Sequence, residues 1–290
     1  ITVATWQSNT LPFIDNFVNL LIIEEGSKVP RDEILRVLAP EGTAFLGSET
    51  LVKPRPATMD DWPHQLYDAS GNAVSKDKAL KPPLQHLQWV GGPRWSRHHD
   101  KMSSVSACVS GDGKVFYIFD EGPTASILLP AKVSLVARDA FNGVVLWKRP
   151  VTEWHPHLWK LKSGPSQLPR RLVAVDRTVY VTLGIDAPLT ALDAATGRTL
   201  RSYEGTRATE EILYSDGVLL LVTCDQPFQQ PPDPKRFDYN WQESERHVLA
   251  VQAETGEVLW KKTFPWVAPL TLAADARRAY FHDGDKVVCL

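Results

Sequence analysis

Cysteine, long apolar runs and clusters of basic residues are all scarce in this sequence of 290 residues. The three cysteines, Cys108, Cys224 and Cys289, lie far apart, each in or beside a predicted strand, so we expect three buried free thiols. No stretch approaches the roughly 18 apolar residues of a membrane-spanning helix, which argues against a transmembrane segment. The net charge of −2 and the lack of a basic run argue against nucleic acid as a main partner.

The sequence does contain a motif that occurs three times between residues 135 and 260. The clearest copy, residues 189–200, reads LTALDAATGRTL, and weaker copies occupy residues 135–147 and 248–260. Each copy has a short apolar run, a turn that ends in glycine, and a second apolar run. Gly143, Gly197 and Gly256 stand where a hairpin loop needs a residue with positive φ. Each copy therefore predicts a β-hairpin.

Further strand signals accompany the hairpins. The segments 113–119, 177–183, 217–223 and 277–282 are rich in Val, Tyr, Leu and Phe, and each follows a turn that contains aspartate. Four strands per repeat are typical of β-propeller blades. We favour a propeller over a β-sandwich of irregular hairpins, because all three copies have the same turn at the same position in the repeat. The fold class is thus mainly β, a partial β-propeller of about three and a half four-stranded blades, with residues 154–169 and 225–246 as inserted loops.

The pattern Ala-x-Asp-Ala-x-Thr-Gly-x-x-Leu-Trp resembles the repeat of the pyrroloquinoline-quinone (PQQ) propellers, over roughly residues 60–290. That superfamily includes quinoprotein dehydrogenases and non-catalytic outer-membrane assembly lipoproteins. The resemblance implies that an Ala, a Gly and a Trp of each repeat lock neighbouring blades together. These residues are Ala137, Gly143, Trp147, Ala191, Gly197, Ala250, Gly256 and Trp260. The second copy departs from the pattern, with Arg201 in the position of the Trp.

The N-terminal part differs from the repeats and is expected to form a small α/β segment. Residues 18–23 are a nearly continuous apolar run, typical of a buried parallel strand. A short helix is expected from Pro30, ended by Pro40 and Gly42, before a strand at 43–46. The runs LPFIDN and EILRVLAPEG resemble the C-terminal half of class I S-adenosylmethionine methyltransferases, although the glycine-rich cofactor loop of that family is not in this chain.

These patterns predict three parts: the α/β segment at 1–49, a proline-containing linker at 50–60, and propeller blades at 61–290. Residues 62–72 resemble the opening segment of PQQ propellers, and residues 86–90 are expected to form the next strand. Because the chain starts at Ile1 and ends within a predicted strand, we expect it to belong to a larger, multidomain bacterial protein with further blades downstream.

The most unusual stretch, residues 91–104, reads GGPRWSRHHDKMSS. One interpretation is that this stretch presents hydrogen-bond donors and an aromatic ring on one propeller face and binds an anion, a sugar or a quinone. We favour the other interpretation, that it is a solvated loop. The candidate ligand-binding residues are Arg94, Trp95, Arg97, His98, His99 and Asp100. We predict no metal site here, because adjacent side chains point apart in a strand. His155 and His157 are a weaker two-ligand pattern, and 228–241 is interpreted as a blade connection.

Three functions remain open from the sequence, so whether the protein is an enzyme is undecided. We favour a non-catalytic propeller that binds an unknown protein or small molecule on one face, because no nucleophile–base or paired-carboxylate motif can be placed. One alternative is a PQQ-dependent alcohol or sugar dehydrogenase, with PQQ and calcium in the full-length protein and Asp100 as the residue to test. The other is a methyltransferase fused to a propeller. No cofactor can be assigned to this chain itself, and the propeller resemblance implies an extracytoplasmic location.

Overall fold

The computed structural model describes residues 6, 8–84, 86–92, 104–155, 166–226 and 244–290. The chain divides into two compact units. The N-terminal unit comprises Ile1–Asp60, Lys76–Gly91 and Asp139–Val144, and the blade unit comprises Asp61–Ser75, Gly92–Arg138 and Val145–Leu290. No helix in the described ranges is both long and apolar enough to cross a membrane. The domain boundaries at 49 and 60 stay a prediction.

The N-terminal unit contains the expected strand–helix–strand order. It comprises β1 (Val18–Ile23), α1 (Arg31–Val37), β2 (Leu38–Leu46) and β3 (Glu49–Val52), with β1 parallel to β2 and β2 antiparallel to β3. Two details of the prediction are wrong. The apolar run is not buried on both faces, since Ile22 is 71% exposed. The helix ends at Val37 and β2 begins at Leu38, because the residue before Pro40 favours extended backbone.

Among its described residues, the blade unit contains three four-stranded antiparallel sheets and one three-stranded sheet, which confirms the partial propeller. Blade 1 consists of β4 (Val105–Gly111), β5 (Lys114–Asp120), β6 (Val133–Asp139) and β7 (Val145–Pro150). Blade 2 consists of β8 (Leu172–Val175), β9 (Thr178–Thr182), β10 (Leu189–Asp193) and β11 (Thr199–Ser202). Blade 3 consists of β12 (Thr209–Ser215), β13 (Val218–Cys224), β14 (Arg246–Gln252) and β15 (Val258–Phe264). The last sheet, blade 4, consists of β16 (Ala273–Ala274), β17 (Ala279–His282) and β18 (Val287–Cys289).

Blades 2 and 3 each bury both faces against a neighbouring blade, because successive side chains of a strand point to opposite sides. In β8, Leu172 packs in a cluster with blade 1, whereas Val173 packs in a cluster with blade 3. In β12, Ile212 faces blade 2 and Leu213 faces blade 4. Continuous apolar runs in these strands therefore reflect burial between two neighbours.

The three repeated glycines have the positive φ that the hairpin prediction required: 73° at Gly143, 69° at Gly197 and 81° at Gly256. Three other expectations are wrong. Residues 86–90 form no strand among the described residues. Cys108 and Cys289 are exposed, and Cys224 alone of the three thiols is buried.

The exposure of Cys108 follows from the alternation of β4: its neighbours Ala107 and Val109 face blade 2, so the thiol points to the opposite side. The predicted inserted loop at 154–169 ends in a short 3₁₀ helix, Leu168–Arg171, directly before β8. Most of both predicted inserts lies outside the described residues.

Candidate functional site

The candidate ligand-binding loop predicted from the sequence lies outside the described residues. This applies to Arg94, Trp95, Arg97, His98, His99 and Asp100, to His157, and to residues 228–241. His155 is described: it is half-buried, and its ring centroid lies 6.0 Å from that of Trp154. The described site residues are therefore those at the junctions between blades.

Blade 1 contacts blade 2 through Trp147, which projects from the outer strand β7. Its indole Nε1 donates a hydrogen bond of 3.0 Å to the carbonyl oxygen of Ala194. A Cβ atom built on Gly197 would lie 2.6 Å from Trp147 Cδ2, closer than real Cβ contacts. The indole thus lies against a turn that must be glycine, both for its positive φ and for this close approach.

The junction between blades 2 and 3 is built differently, because Arg201 occupies the position equivalent to Trp147. A Cβ atom on Gly256 would lie 3.4 Å from Arg201 Cδ, an ordinary contact with a flexible side chain. The hydrogen bond is supplied by Tyr203, whose hydroxyl donates to the carbonyl oxygen of Ala253 at 2.5 Å. Tyr203 is 2% exposed, so one tyrosine replaces the polar part of the missing tryptophan.

An open cleft of about 380 Å³ lies at this junction. Three tyrosines form much of it: Tyr180 and Tyr214 stack with ring centroids 5.6 Å apart, and Tyr203 lies 6.5 Å from Tyr180. The complete lining comprises Thr178, Tyr180, Ala191, Leu200, Arg201, Tyr203, Tyr214, Gly217, Gln252, Ala253 and Glu254. Tyr180 and Tyr203 are buried, whereas Leu200, Arg201 and Glu254 are exposed at the rim.

Two phenols of the cleft, those of Tyr180 and Tyr203, have a raised pKa. Burial raises the pKa of Tyr203 to about 12, and the nearby Arg201 guanidinium opposes this shift. Burial likewise raises the pKa of Tyr180 well above its usual range. Their hydroxyl groups therefore act as hydrogen-bond donors and not as bases. The cleft combines aromatic surface, phenolic oxygens and one guanidinium, a set suited to binding.

Arg201 stands out in the sequence as a departure from the repeat, whereas the tyrosines were not predicted as site residues. A usable signal was present for Tyr203, which lies two residues after Arg201 and so projects from the same side of an extended chain. Tyr180 and Tyr214 come from other strands, and their approach to Arg201 depends on how blades 2 and 3 pack.

A second group of ionisable side chains is buried at the starts of β12 and β14 and in the 3₁₀ helix before β8. Arg246 pairs with Glu210 at 2.8 Å, and both side chains are 5% exposed. Glu211 accepts a hydrogen bond from the Leu270 amide at 2.5 Å, and Arg170 lies 3.8 Å from its other oxygen. Burial raises the pKa of Glu211 to about 7, opposed by Arg170 and that amide. These side chains connect β12 with β14 and with the loop before blade 4.

The family comparison agrees with this architecture. A family profile described as outer membrane protein assembly factor BamB matches residues 132–290, more than half of the chain. The chain belongs to this family. The match begins after the N-terminal segment, whose resemblance to methyltransferases stays a prediction. No curated protein sequence matches the chain.

Similar solved structures include two kinds of propeller protein. The quinohemoprotein alcohol dehydrogenase from Comamonas testosteroni has 14% identity and a TM-score of 0.37, over 70% of this chain and 27% of that one. BamB from Moraxella catarrhalis has 15% identity and a TM-score of 0.30, over 63% of this chain and 59% of that one. The chain thus spans less than two thirds of the length of either structure.

Proposed function

We propose that this protein is a non-catalytic binding propeller and that the cleft between blades 2 and 3 receives a side chain of a protein partner. The observation that carries this proposal is the replacement of the Trp by Arg201, which leaves a tyrosine-lined cleft at a blade junction. The family description, an assembly factor for outer membrane proteins, supports a role in binding proteins and a location outside the cytoplasm.

The composition of the cleft matches that of binding hot spots. Tyr and Arg are enriched among residues that dominate binding energy, because they offer large contact area with few rotatable bonds or several donors. Two of the three tyrosines are already ordered by burial in the blade core, so binding costs little of their conformational entropy. A volume of about 380 Å³ is at the small end for ligand pockets and suits one large apolar side chain.

The charges at the rim define the partner further. Arg201 supplies a cation and Glu254 an anion, and both are exposed. A complementary partner therefore carries an aromatic or branched apolar anchor with an acidic residue near Arg201 and a basic or neutral residue near Glu254. Such rim charges mainly improve orientation and association rate, whereas the anchor supplies most of the affinity.

PQQ with calcium is the cofactor that the resemblance implies for dehydrogenases of this superfamily, and the two buried carboxylates Glu210 and Glu211 do not fit it. Calcium takes six to eight oxygen ligands, so a carboxylate that holds it must be available to the ion. Glu210 and Glu211 instead face Arg246 and Arg170 inside the protein. Asp100, the candidate for a dehydrogenase, lies outside the described residues.

The proposal is tested by selecting peptides from a displayed library against the protein and against its Arg201→Trp variant. The indole would fill the cleft, so peptides enriched on the wild type should bind the variant at least about tenfold more weakly. Lys148→Trp, on the outer strand of blade 1, adds the same bulky ring at another exposed outer-strand site and should leave binding unchanged. Selected peptides that bind wild type and Arg201→Trp equally would place the binding surface elsewhere.

A further inference from the structure

Three potential metal ligands meet at one end of blade 3. Glu245 and His247 are two residues apart at the start of β14, so their side chains lie on the same face of the sheet. Asp225 directly follows β13, whose last residue, Cys224, pairs with Arg246. One donor atom from each of Asp225, Glu245 and His247 lies within 4.8 Å of the other two. No short motif in the sequence marks this group, because Asp225 lies 20 residues before Glu245.

His247 is already oriented as a metal-binding imidazole would be. Its Nδ1 lies 2.9 Å from Thr263 Oγ1 on the neighbouring strand, and its Nε2 lies 2.9 Å from Asp225 Oδ1. A ligating histidine usually has its second ring nitrogen held by such a partner, which fixes the tautomer and the ring plane. His247 is also 8% exposed, so the rigid sheet holds the ring in place. Its Nε2 faces the two exposed carboxylates.

The spacing of the donors is close to that of a bound cation. With metal–ligand bonds of about 2.1 Å, donor atoms in a tetrahedron are roughly 3.4 Å apart. The 2.9 Å between His247 Nε2 and Asp225 Oδ1 is shorter than this spacing by about 0.5 Å, and the exposed Glu245 side chain needs a shift on the order of 1 Å to complete the site. Two carboxylates and one imidazole leave a fourth position for water.

The surrounding charges are compatible with a cation. Arg246 lies between two of the ligands in sequence and therefore points to the other face, where it pairs with Glu210 and with Ser244. Lys261 is close enough to act electrostatically on Asp225. Two carboxylates against one lysine leave a net negative site, which favours a divalent cation.

We propose that Asp225, Glu245 and His247 bind a divalent first-row transition metal ion, with Zn²⁺ as the best match to imidazole and carboxylate ligands. Asp225 and Glu245 are the two ends of the connection between β13 and β14, which spans residues 225–245. A metal ion there would bridge two ends that the pairing of Cys224 with Arg246 already holds together. The site is separate from the tyrosine cleft and does not depend on the proposed function.

Calorimetric titration of the tag-free protein with Zn²⁺, together with metal analysis after dialysis, tests this proposal. We expect one Zn²⁺ per chain, and at least about tenfold weaker binding in Glu245→Gln and in Asp225→Asn. Both side chains are exposed, so these variants should fold normally. Glu257→Gln removes an exposed carboxylate from the β14–β15 turn of the same blade and should bind Zn²⁺ as the wild type does.

Binding of Co²⁺ provides a second readout that a non-specific surface ion would not reproduce. A site with an imidazole ligand and four or five donors gives visible absorption bands, which should be absent in Glu245→Gln. Substoichiometric Zn²⁺, or equal affinity in the wild type and both carboxylate variants, would overturn the proposal.

Discussion

Substituting alanine for two equivalent glycines separates backbone strain from the packing of Trp147. Gly197 and Gly256 have similar φ values, 69° and 81°, so alanine costs about 1–2 kcal/mol at either position. At Gly197 the new Cβ also meets the Trp147 indole at 2.6 Å, and such overpacking costs about 1–3 kcal/mol more. At Gly256 the nearest atom is Arg201 Cδ at 3.4 Å, which can move away. We therefore expect Gly197→Ala to destabilise the protein by about 2–5 kcal/mol and Gly256→Ala by about 1–2 kcal/mol.

Urea-induced unfolding, followed by circular dichroism, measures both free energies of unfolding. A double-mutant cycle isolates the contact: with Trp147→Ala already present, Gly197→Ala should cost only the strain, about 1–2 kcal/mol. The coupling energy between the two sites should therefore be about 1–3 kcal/mol. Equal costs at Gly197 and Gly256, together with a coupling energy near zero, would refute the account of the blade junctions.

Three further predictions concern buried polar groups of blades 2 and 3. Tyr203→Phe leaves the Ala253 carbonyl without its hydroxyl donor and should cost about 1–3 kcal/mol in urea unfolding. Folding raises the pKa of Glu211 from 4.5 to about 7, so its contribution to stability is complete below pH 4.5 and is lost as the pH rises to 7. Relative to Glu211→Gln, the wild type should lose up to about 3 kcal/mol of unfolding free energy between pH 4.5 and 7. Arg246→Met leaves Glu210 buried and unpaired, and should cost about 3–5 kcal/mol, whereas the double variant Glu210→Leu/Arg246→Met should cost much less in the same assay.

The outcomes that would contradict these predictions are equally specific. An unchanged free energy of unfolding for Tyr203→Phe would mean that the Ala253 carbonyl finds another donor. A constant stability difference between wild type and Glu211→Gln from pH 4.5 to 7 would show that Glu211 ionises normally. A double variant as unstable as Arg246→Met would show that the loss does not come from the unpaired charge.

The sequence predicts the blades well because the signals are local. A turn around Gly143, Gly197 or Gly256 needs positive φ whatever surrounds it, and alternating apolar residues reveal each strand. Errors arose where packing decides the outcome. The run at 18–23 is as apolar as a buried strand, yet nothing in its composition shows that Ile22 is exposed. Cys108 likewise follows the alternation of β4 but lies on the face opposite to blade 2.

The candidate sites were predicted less well because their residues meet only after folding. Arg201 could be recognised as a departure from the repeat, but the stacking of Tyr180 on Tyr214 brings together strands of two blades. Asp225 and His247 are neighbours in space because β13 and β14 pair in register, which no short motif indicates. Arg94 to Asp100 remain candidates from sequence alone, since they lie outside the described residues.

The central claim is that the protein binds a partner without quinone chemistry. Its most direct test is a calorimetric and absorbance titration of the full-length protein with PQQ in the presence of Ca²⁺. We expect no saturable heat and no new absorbance at high micromolar quinone. Saturable binding at one site, with the absorbance of a protein-bound quinone, would contradict it and favour the dehydrogenase alternative. Asp100→Asn and Trp95→Ala would then be the first variants to measure.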